Sequence, residues 1–346
     1  MTIPDFDAGT PVIECKYGEN GYQVPAGLYG TGSEDPLALD RFEVVQGTAP
    51  SYNNLCDLDR LLQTATHIAA GFDVNFGEVP RIALACKHGN PCGAAVDDNQ
   101  VITTMLALEG DLRAVFGGLI LLNYRVDEDI AEILMTHKVD DGGRRLLDGI
   151  VAPGFTGKAR EKLQRKGDKC RLLANPALAG LGRDSLDGAR RYRYVRGGFL
   201  TQPNYTFVPD LSAADVERVG EADEKQVRDM VLGWAVGSTS NSNTVTLVRD
   251  GMLIGNGVGQ QDRVGGCKLA VMRARDAGHQ IIGAVAYSDS FFPFTDGPGE
   301  LAAAGTAAIL ATSGSVRDEE VKQFCRDNGV VIYMYTDSQG RGFFGH

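Results

Sequence analysis

The chain has 346 residues, of which 43% are hydrophobic and 23% charged. That is ordinary globular composition, and the length suits about two domains, so a disordered or fibrous protein is excluded. Its 34 Lys and Arg against 45 Asp and Glu leave a formal charge of −11, which argues against broad binding to a nucleic-acid backbone. Small anionic ligands would need cations concentrated at one site.

No apolar run approaches the roughly 18 residues of a transmembrane helix. The acidic N-terminus lacks the basic and apolar regions of a signal peptide. The seven cysteines are scattered, with no C-x-x-C pair, which argues against a disulfide framework or a structural zinc site. These features predict a cytoplasmic α/β protein of a reducing compartment that meets neither membrane nor nucleic acid.

In chain order, the first fifty residues are rich in Gly, Pro and Tyr and show no sustained period. Apolar residues at Leu58, Leu61, Leu62, Ala65 and Ile68 predict a helix over 55–71. Residues 82–86 form a short apolar strand that stops at a turn by composition, Lys87-His88-Gly89-Asn90-Pro91. Strands are expected at 118–123, 149–151, 170–174 and 194–200, and a helix at 128–137. An acidic, polar stretch from Pro209 to Glu224 marks a boundary. Beyond it come a helix over 223–236 and a hairpin, 244–249 with 252–255, around Asp250-Gly251. Helix and strand then alternate: helices at 264–277, 299–304 and 318–327, strands at 281–287, 307–311 and 330–335. The pattern is an open, mixed α/β sheet.

Lys87-His88 is the first candidate for chemistry. Histidine can take a proton near neutral pH, and lysine can stabilise developing negative charge. Successive side chains of an extended backbone point opposite ways, so both face one site only if the chain bends, and Asn90-Pro91-Cys92-Gly93 is expected to supply the bend. The competing reading is a surface lysine beside a satisfied loop histidine. Cys92 has no second cysteine three residues on and no upstream H-x-E, so it reads as a buried structural thiol. The glycine-rich run 255–263 precedes a helix without dinucleotide or Walker spacing; it is either a tight turn or an anion contact through Arg263. Residues 288–296 (SDSFFPFTD) suggest an aromatic wall over a flat ligand with Asp296 accepting from it, or a satellite hydrophobic cluster. Ser313-Gly-Ser315-Val-Arg-Asp318 is a helix start and a candidate polar-group site.

Taken together and in order, these segments resemble the AICAR transformylase part of the bifunctional AICAR transformylase/IMP cyclohydrolase family. Lys16-Tyr-Gly-Glu-Asn-Gly-Tyr-Gln23 is similar to its RYGENPHQ, and Ser51-Tyr-Asn-Asn-Leu-Cys-Asp57 to SYNN-x-x-D. Lys87–Gly93 fits KHxNPCG, Phe116–Gly118 fits FGG with Asp148–Pro153 as its following strand, and Gly197–Gln202 fits GGxLxQ. Ser242-Asn243, the run 257–263, the run 288–294 and Ser313–Ser315 complete the set. Each motif is weak alone, and their collinear order is specific.

The resemblance implies two tandem cytidine-deaminase-like three-layer α/β/α subdomains without zinc, over 1–205 and 206–346. It implies formyl transfer from 10-formyltetrahydrofolate, as co-substrate, to the 5-amino group of AICAR, giving FAICAR in purine biosynthesis. His88 matches the general base and Lys87 the transition-state stabiliser. Lys16, Tyr17, Gly117, Asp148, Asn243, Arg263, Phe291, Arg341 and Phe344 match AICAR-site positions, Arg263 reaching across a homodimer interface. Val264, Asp296, Ser315 and Val316 match folate-site positions. Asn90, Pro293 and His346 belong to matched segments. No tightly bound metal is implied beyond room for a structural monovalent cation.

Since Lys16 lies so near the start, the resemblance further implies a stand-alone transformylase served by a separate cyclohydrolase. Departures fall on the phosphate end. Lys16 replaces an arginine, so a fork becomes a point charge; Gly21-Tyr22 replaces Pro-His; and the tail reads RGFFGH, in which Arg341 matches only with an insertion. Two other readings stay open: another formyl donor or acceptor amine, or a non-catalytic folate or nucleotide binder. The intact FFPF-x-D favours a folate-type ligand, and the retained Lys87-His88 argues against a mere binder.

Overall fold

The computed structural model describes residues 11–140 and 142–345. A small antiparallel pair, β1 (Ile13–Cys15) with β2 (Ala26–Leu28), precedes β3 (Glu43–Gln46). Helix α1 (Tyr52–Phe76) leads into β4 (Arg81–Lys87) and β5 (Asn90–Asp97), then α2 (Gln100–Glu109) and α3 (Leu112–Val115). Next come β6 (Leu119–Leu122), α4 (Glu128–Thr136), β7 (Gly149–Ala152), α5 (Gly157–Leu163) and β8 (Arg171–Ala174). A separate hairpin, β9 (Arg190–Val195) with β10 (Gly198–Pro203), stands apart from the main sheet. The chain continues through β11 (Glu217–Val219), α6 (Glu224–Ser238), β12 (Val245–Arg249), β13 (Met252–Gly257) and α7 (Arg263–Asp276). It ends with β14 (Val285–Ser288), α8 (Asp296–Ala304), β15 (Ala308–Ser313), α9 (Asp318–Asp327), β16 (Val331–Thr336) and the short α10 (Asp337–Gly340).

Twelve strands join in one mixed sheet, in the order β11-β16-β15-β14-β12-β13-β5-β4-β6-β7-β8-β3. Strands β3–β8 therefore make one half and β11–β16 the other. The halves meet through a single register pair, Met252 with Ala95. Strand alternation sorts the core. Ile82, Leu84 and Cys86 face a core shared by both halves under α1 and α6, while Ala83 and Ala85 face one built with α2, α4 and α5. A third core lies under α7, α8 and α9. The architecture is mixed α/β with helices on both faces of the sheet. Among the described residues no helix is long and apolar enough to cross a membrane.

Helix α1 is longer than its apolar period predicts. Ser51 caps its start in a capping box with Asn54, and Gly77, at φ +71°, ends it in the left-handed region. The strand expected at 194–200 is in fact two strands, because the chain reverses at Arg196-Gly197, where Gly197 has φ +85°. The bend expected at Asn90–Gly93 lies one step earlier. His88 and Gly89 make the turn, and Asn90 already begins β5.

Two features of the shared core yield tests. α1 and α6 touch at Gly71, where a Cβ would lie 2.8 Å from Val231 Cγ1 and 2.9 Å from Trp234 Cζ3. Gly71→Leu should therefore cost about 1–3 kcal/mol by overpacking, seen as a lower urea midpoint at unchanged slope. An unchanged midpoint would mean the helices do not pack this closely. His67, fully buried, has Nδ1 at 2.7 Å from the Gln63 carbonyl and stacks on Tyr205 at 5.5 Å. Burial pulls its pKa down from 6.5 to about 4. The folded state thus refuses a proton that the unfolded chain accepts. Stability is whole above pH 6.5 and falls by about 3 kcal/mol as pH drops towards 4. His67→Phe should flatten that limb of the pH–stability curve; an unchanged limb would place the proton uptake on another group.

Candidate active site

The loops that carry most of the candidate residues gather at one edge of the sheet. They follow β4, β13, β14, β15 and β16 and precede β6, β7 and β12, ends that the pairing registers bring level. For the parallel strands β14–β16 this is the carboxyl end, the usual place for a ligand crevice.

At the centre is the β4–β5 hairpin. Lys87 pairs with Asn90, which leaves His88 and Gly89 as a two-residue turn with φ +54° and +71°. Positive φ at both positions is the type I′ geometry that matches strand twist. Glycine meets it freely, whereas histidine does so under strain. The turn exposes His88 at the tip, and Asn90 Nδ2 donates to the His88 carbonyl at 3.2 Å. Asp57, on α1, accepts from the Gly89 amide at 2.7 Å and so holds the tip. Lys87 Nζ donates to the Phe116 carbonyl at 2.7 Å, beside Gly117, whose φ is +74°. Asp148, just before β7, donates its amide to Gly118 O at 3.1 Å. The structure thus brings Lys87, Gly117 and Asp148 to neighbouring positions along the edge.

A cleft of about 360 Å³ opens where β5 and β13 diverge beyond their one register pair. Lys87, His88, Asn90, Asn256 and Arg273 are among its lining residues. Asn256 Nδ2 bridges it to the Pro91 carbonyl at 2.9 Å. Cys92 Sγ donates to the Ala85 carbonyl at 3.5 Å, and burial pushes the thiol up to about 12, so it stays protonated and inert.

A second group surrounds Asn243. Its Oδ1 accepts from Arg263 Nη2 at 2.7 Å, and its Nδ2 donates to Gln260 O at 2.9 Å. Arg263 also pairs with the buried Asp289, whose Oδ2 accepts from Thr244 N at 3.0 Å. Desolvation raises the Asp289 pKa, and Arg263 opposes the rise. The Arg263 guanidinium is therefore engaged within the chain. Val264 is half-buried in the first turn of α7.

The SDSFFPF segment is divided. Phe292 is core, in contact range of Gly297, whereas Phe291 is half-buried and Phe294 is 53% exposed. Arg341 lies 5.5 Å from the Phe291 ring centroid and pairs with Asp337 at 2.6 Å. Pro293 and Asp296 sit at the start of α8, where the Asp296 carboxylate accepts from the Gly297 amide at 2.8 Å. Ser315 Oγ accepts from the Arg317 amide at 3.1 Å, and Val316 is fully exposed. Lys16 and Tyr17 follow β1 in an exposed loop; Asn53 of α1 ties this loop down through the Glu19 carbonyl at 3.4 Å. Phe344 is buried, and its amide donates to Ser240 O at 3.0 Å. His346 lies outside the described residues.

Three participants were not singled out by sequence reasoning: Asp57, Arg60 and Arg191. Asp57 stands in a recognised motif, which was the available signal. Arg60 and Arg191 meet only in space, at the ring of Phe344. Among the described residues no three His, Cys, Asp or Glu side chains cluster as they would around a metal ion.

These features define a mixed α/β protein with a cation-bearing, loop-built site at one edge of a composite sheet. The chain belongs to the AICARFT/IMPCHase bienzyme family, which residues 7–273 match. It is 33% identical over 317 residues to the bifunctional purine biosynthesis protein of Anoxybacillus flavithermus, covering 92% of this chain and 57% of that protein. It is 33% identical over 357 residues to the corresponding Synechococcus protein, covering 99% and 62%. The Trichodesmium erythraeum protein of the same name is 29% identical over 329 residues, covering 95% and 58%. The chain thus spans about three fifths of the length of these relatives.

The Asp57–Gly89 bond yields a test that needs no substrate. Asp57→Ala should cost about 1 kcal/mol by removing a part-buried hydrogen bond and should speed hydrogen exchange at the Gly89 amide. Unchanged exchange there would show that the tip is held by the strands alone.

Proposed function

We propose that this chain transfers the formyl group of 10-formyltetrahydrofolate to the 5-amino group of AICAR, giving FAICAR and tetrahydrofolate. The observation that carries the reading is the Lys87-His88 pair, set side by side at a strained, tethered hairpin tip. Membership of the family supports it, as do relatives named for purine biosynthesis.

In this reading His88 takes a proton from the 5-amino group, a poor nucleophile, as its nitrogen attacks the formyl carbon. Lys87 stabilises the negative charge that develops on the formyl oxygen. The carbon–N10 bond then breaks, N10 takes up a proton, and tetrahydrofolate leaves. Lys16, Tyr17, Gly117, Asp148, Asn243, Phe291, Arg341 and Phe344 would hold AICAR, with Arg263 of a second protomer. Val264, Asp296, Ser315 and Val316 would meet the folate, near exposed Phe294. We assign the two subdomains, 1–205 and 206–346, to the two halves of the sheet. A cytoplasmic homodimer completes the proposal.

The test follows tetrahydrofolate release by absorbance, with AICAR and 10-formyltetrahydrofolate as substrates. His88→Ala should lower kcat by about 10²–10⁴-fold, the usual value of a general base, and Lys87→Met should cut it comparably. Full activity in His88→Ala would remove the base from the mechanism. Folate binding without wild-type turnover would favour a different donor, a different amine, or a binding protein.

A further inference from the structure

One turn of α1 touches both the hairpin tip and the C-terminal tail. Asp57 accepts from Gly89 at the tip. Arg60, three residues on and therefore on the same helical face, meets the tail. Its side chain is deeply buried, the residue being 6% exposed. Nη2 donates to Asn241 Oδ1 at 3.2 Å, but Nε and Nη1 have no hydrogen-bond partner among the described residues. The guanidinium carbon lies 4.0 Å from the centroid of Phe344. Arg191, on β9, lies 3.6 Å from the same centroid, and its Nη1 donates to the Phe344 carbonyl at 3.0 Å.

A buried cation beside a half-buried one is unfavourable without compensation. Burial, with a smaller contribution from Arg191, brings the Arg60 guanidinium down to about 10. The Asp59 and Asp57 carboxylates oppose that fall, and the negative face of the aromatic ring adds to the compensation. The backbone agrees with this placement. Gly345 bridges to Asn241, and a Cβ at 345 would lie 2.7 Å from Asn241 Oδ1.

We propose that Arg60 and Arg191 are positioning residues that clamp the ring of Phe344 and so hold tail residues 341–345 in fixed register with the Lys87–His88 hairpin. The consequence for catalysis rests on the formyl-transfer reading; the clamp itself does not. An aliphatic side chain of similar size would fill the same space without offering a π face. A clamp therefore differs from simple packing in what it tolerates.

The test has two readouts. In the first, carboxypeptidase trims the intact folded protein, and release of residue 344 is timed by mass spectrometry. Arg60→Met should speed release about tenfold, the loss of one buried cation–π contact, and Phe344→Leu, which loses the contacts with both Arg60 and Arg191, should speed it further, while Phe344→Trp stays protected like the wild type. Protection in Phe344→Leu equal to the wild type would overturn the clamp. In the second, kcat and KM for AICAR are compared below the unfolding midpoint of every variant. Arg60→Met should lower kcat more than it raises KM, and Arg60→Met combined with Phe344→Leu should lose no more than the worse single variant. Multiplying losses would show that Arg60 acts independently of the tail. If the wild type shows no turnover, the formyl-transfer reading fails, and the trimming series alone decides the clamp.

Discussion

A helix covered on both flanks has no solvated face on which to leave polar groups unpaired, and α1 folds under that constraint for most of its length. Its apolar residues join the core shared by both halves of the sheet. Several of its polar residues find partners inside the protein, although Gln63 Nε2, His67 Nε2 and two Arg60 nitrogens have none among the described residues. Thr64 meets Thr239 at 2.8 Å, Asp57 holds the hairpin tip, and Arg60 reaches Asn241. The requirement that buried polar groups be satisfied thus turns one helix into the reference against which hairpin, loop and tail are placed.

The halves of the sheet make little contact through their strands, with one register pair between β13 and β5. What joins them is the α1–α6 layer and its common core. A sheet that diverges at its centre leaves a cleft without breaking any helix, and the Lys87–His88 hairpin lies on its rim. The local charges suit the proposed reaction, in which an acidic protein receives anionic substrates. Lys87, Arg263, Arg341, Arg60 and Arg191 lie at or beside the edge loops, yet the chain as a whole carries −11. Arg263 and Arg341 already have carboxylate partners, so an incoming phosphate would compete with Asp289 or Asp337 rather than meet free cations. Steering by concentrated charge therefore rests most on the exposed Lys16 and on Lys87, which is held by a neutral carbonyl.

Much of this was legible in the amino acids. Helix α9 begins and ends where its sequence predicts, since its hydrophobic stripe is narrow and its flanks are polar. Strand β5 was not legible. Asn90-Pro91 has turn chemistry, and the residues that follow are small and fully covered, so neither alternation nor bulk marks a strand. Gly93 is needed there because α2 passes close to its backbone. The FFPF run left open an aromatic wall over a ligand or a satellite hydrophobic cluster. Which ring enters the core depends on α8, whose Gly297 leaves room for Phe292. The cluster at Phe344 joins positions 60, 191 and 344, and no local pattern connects residues so far apart in the chain.

Three of the places where local rules are broken, at His88, Asn90 and Asn256, lie at one cleft. A histidine occupies a left-handed turn that glycine would fill without strain. Among the described residues, two nitrogens of the buried Arg60 guanidinium have no acceptor, and Asn90 and Asn256 each bury an unpaired amide oxygen beside the cleft. Each departure costs stability on its own, and a fold selected for stability alone would have removed them by ordinary substitution. Gln63, His67, Ser238 and Thr306 also bury unpaired groups, but the strained His88 and the unpaired Asn90 and Asn256 oxygens meet at one cleft, as expected where a structure keeps groups ready for something other than its own folding.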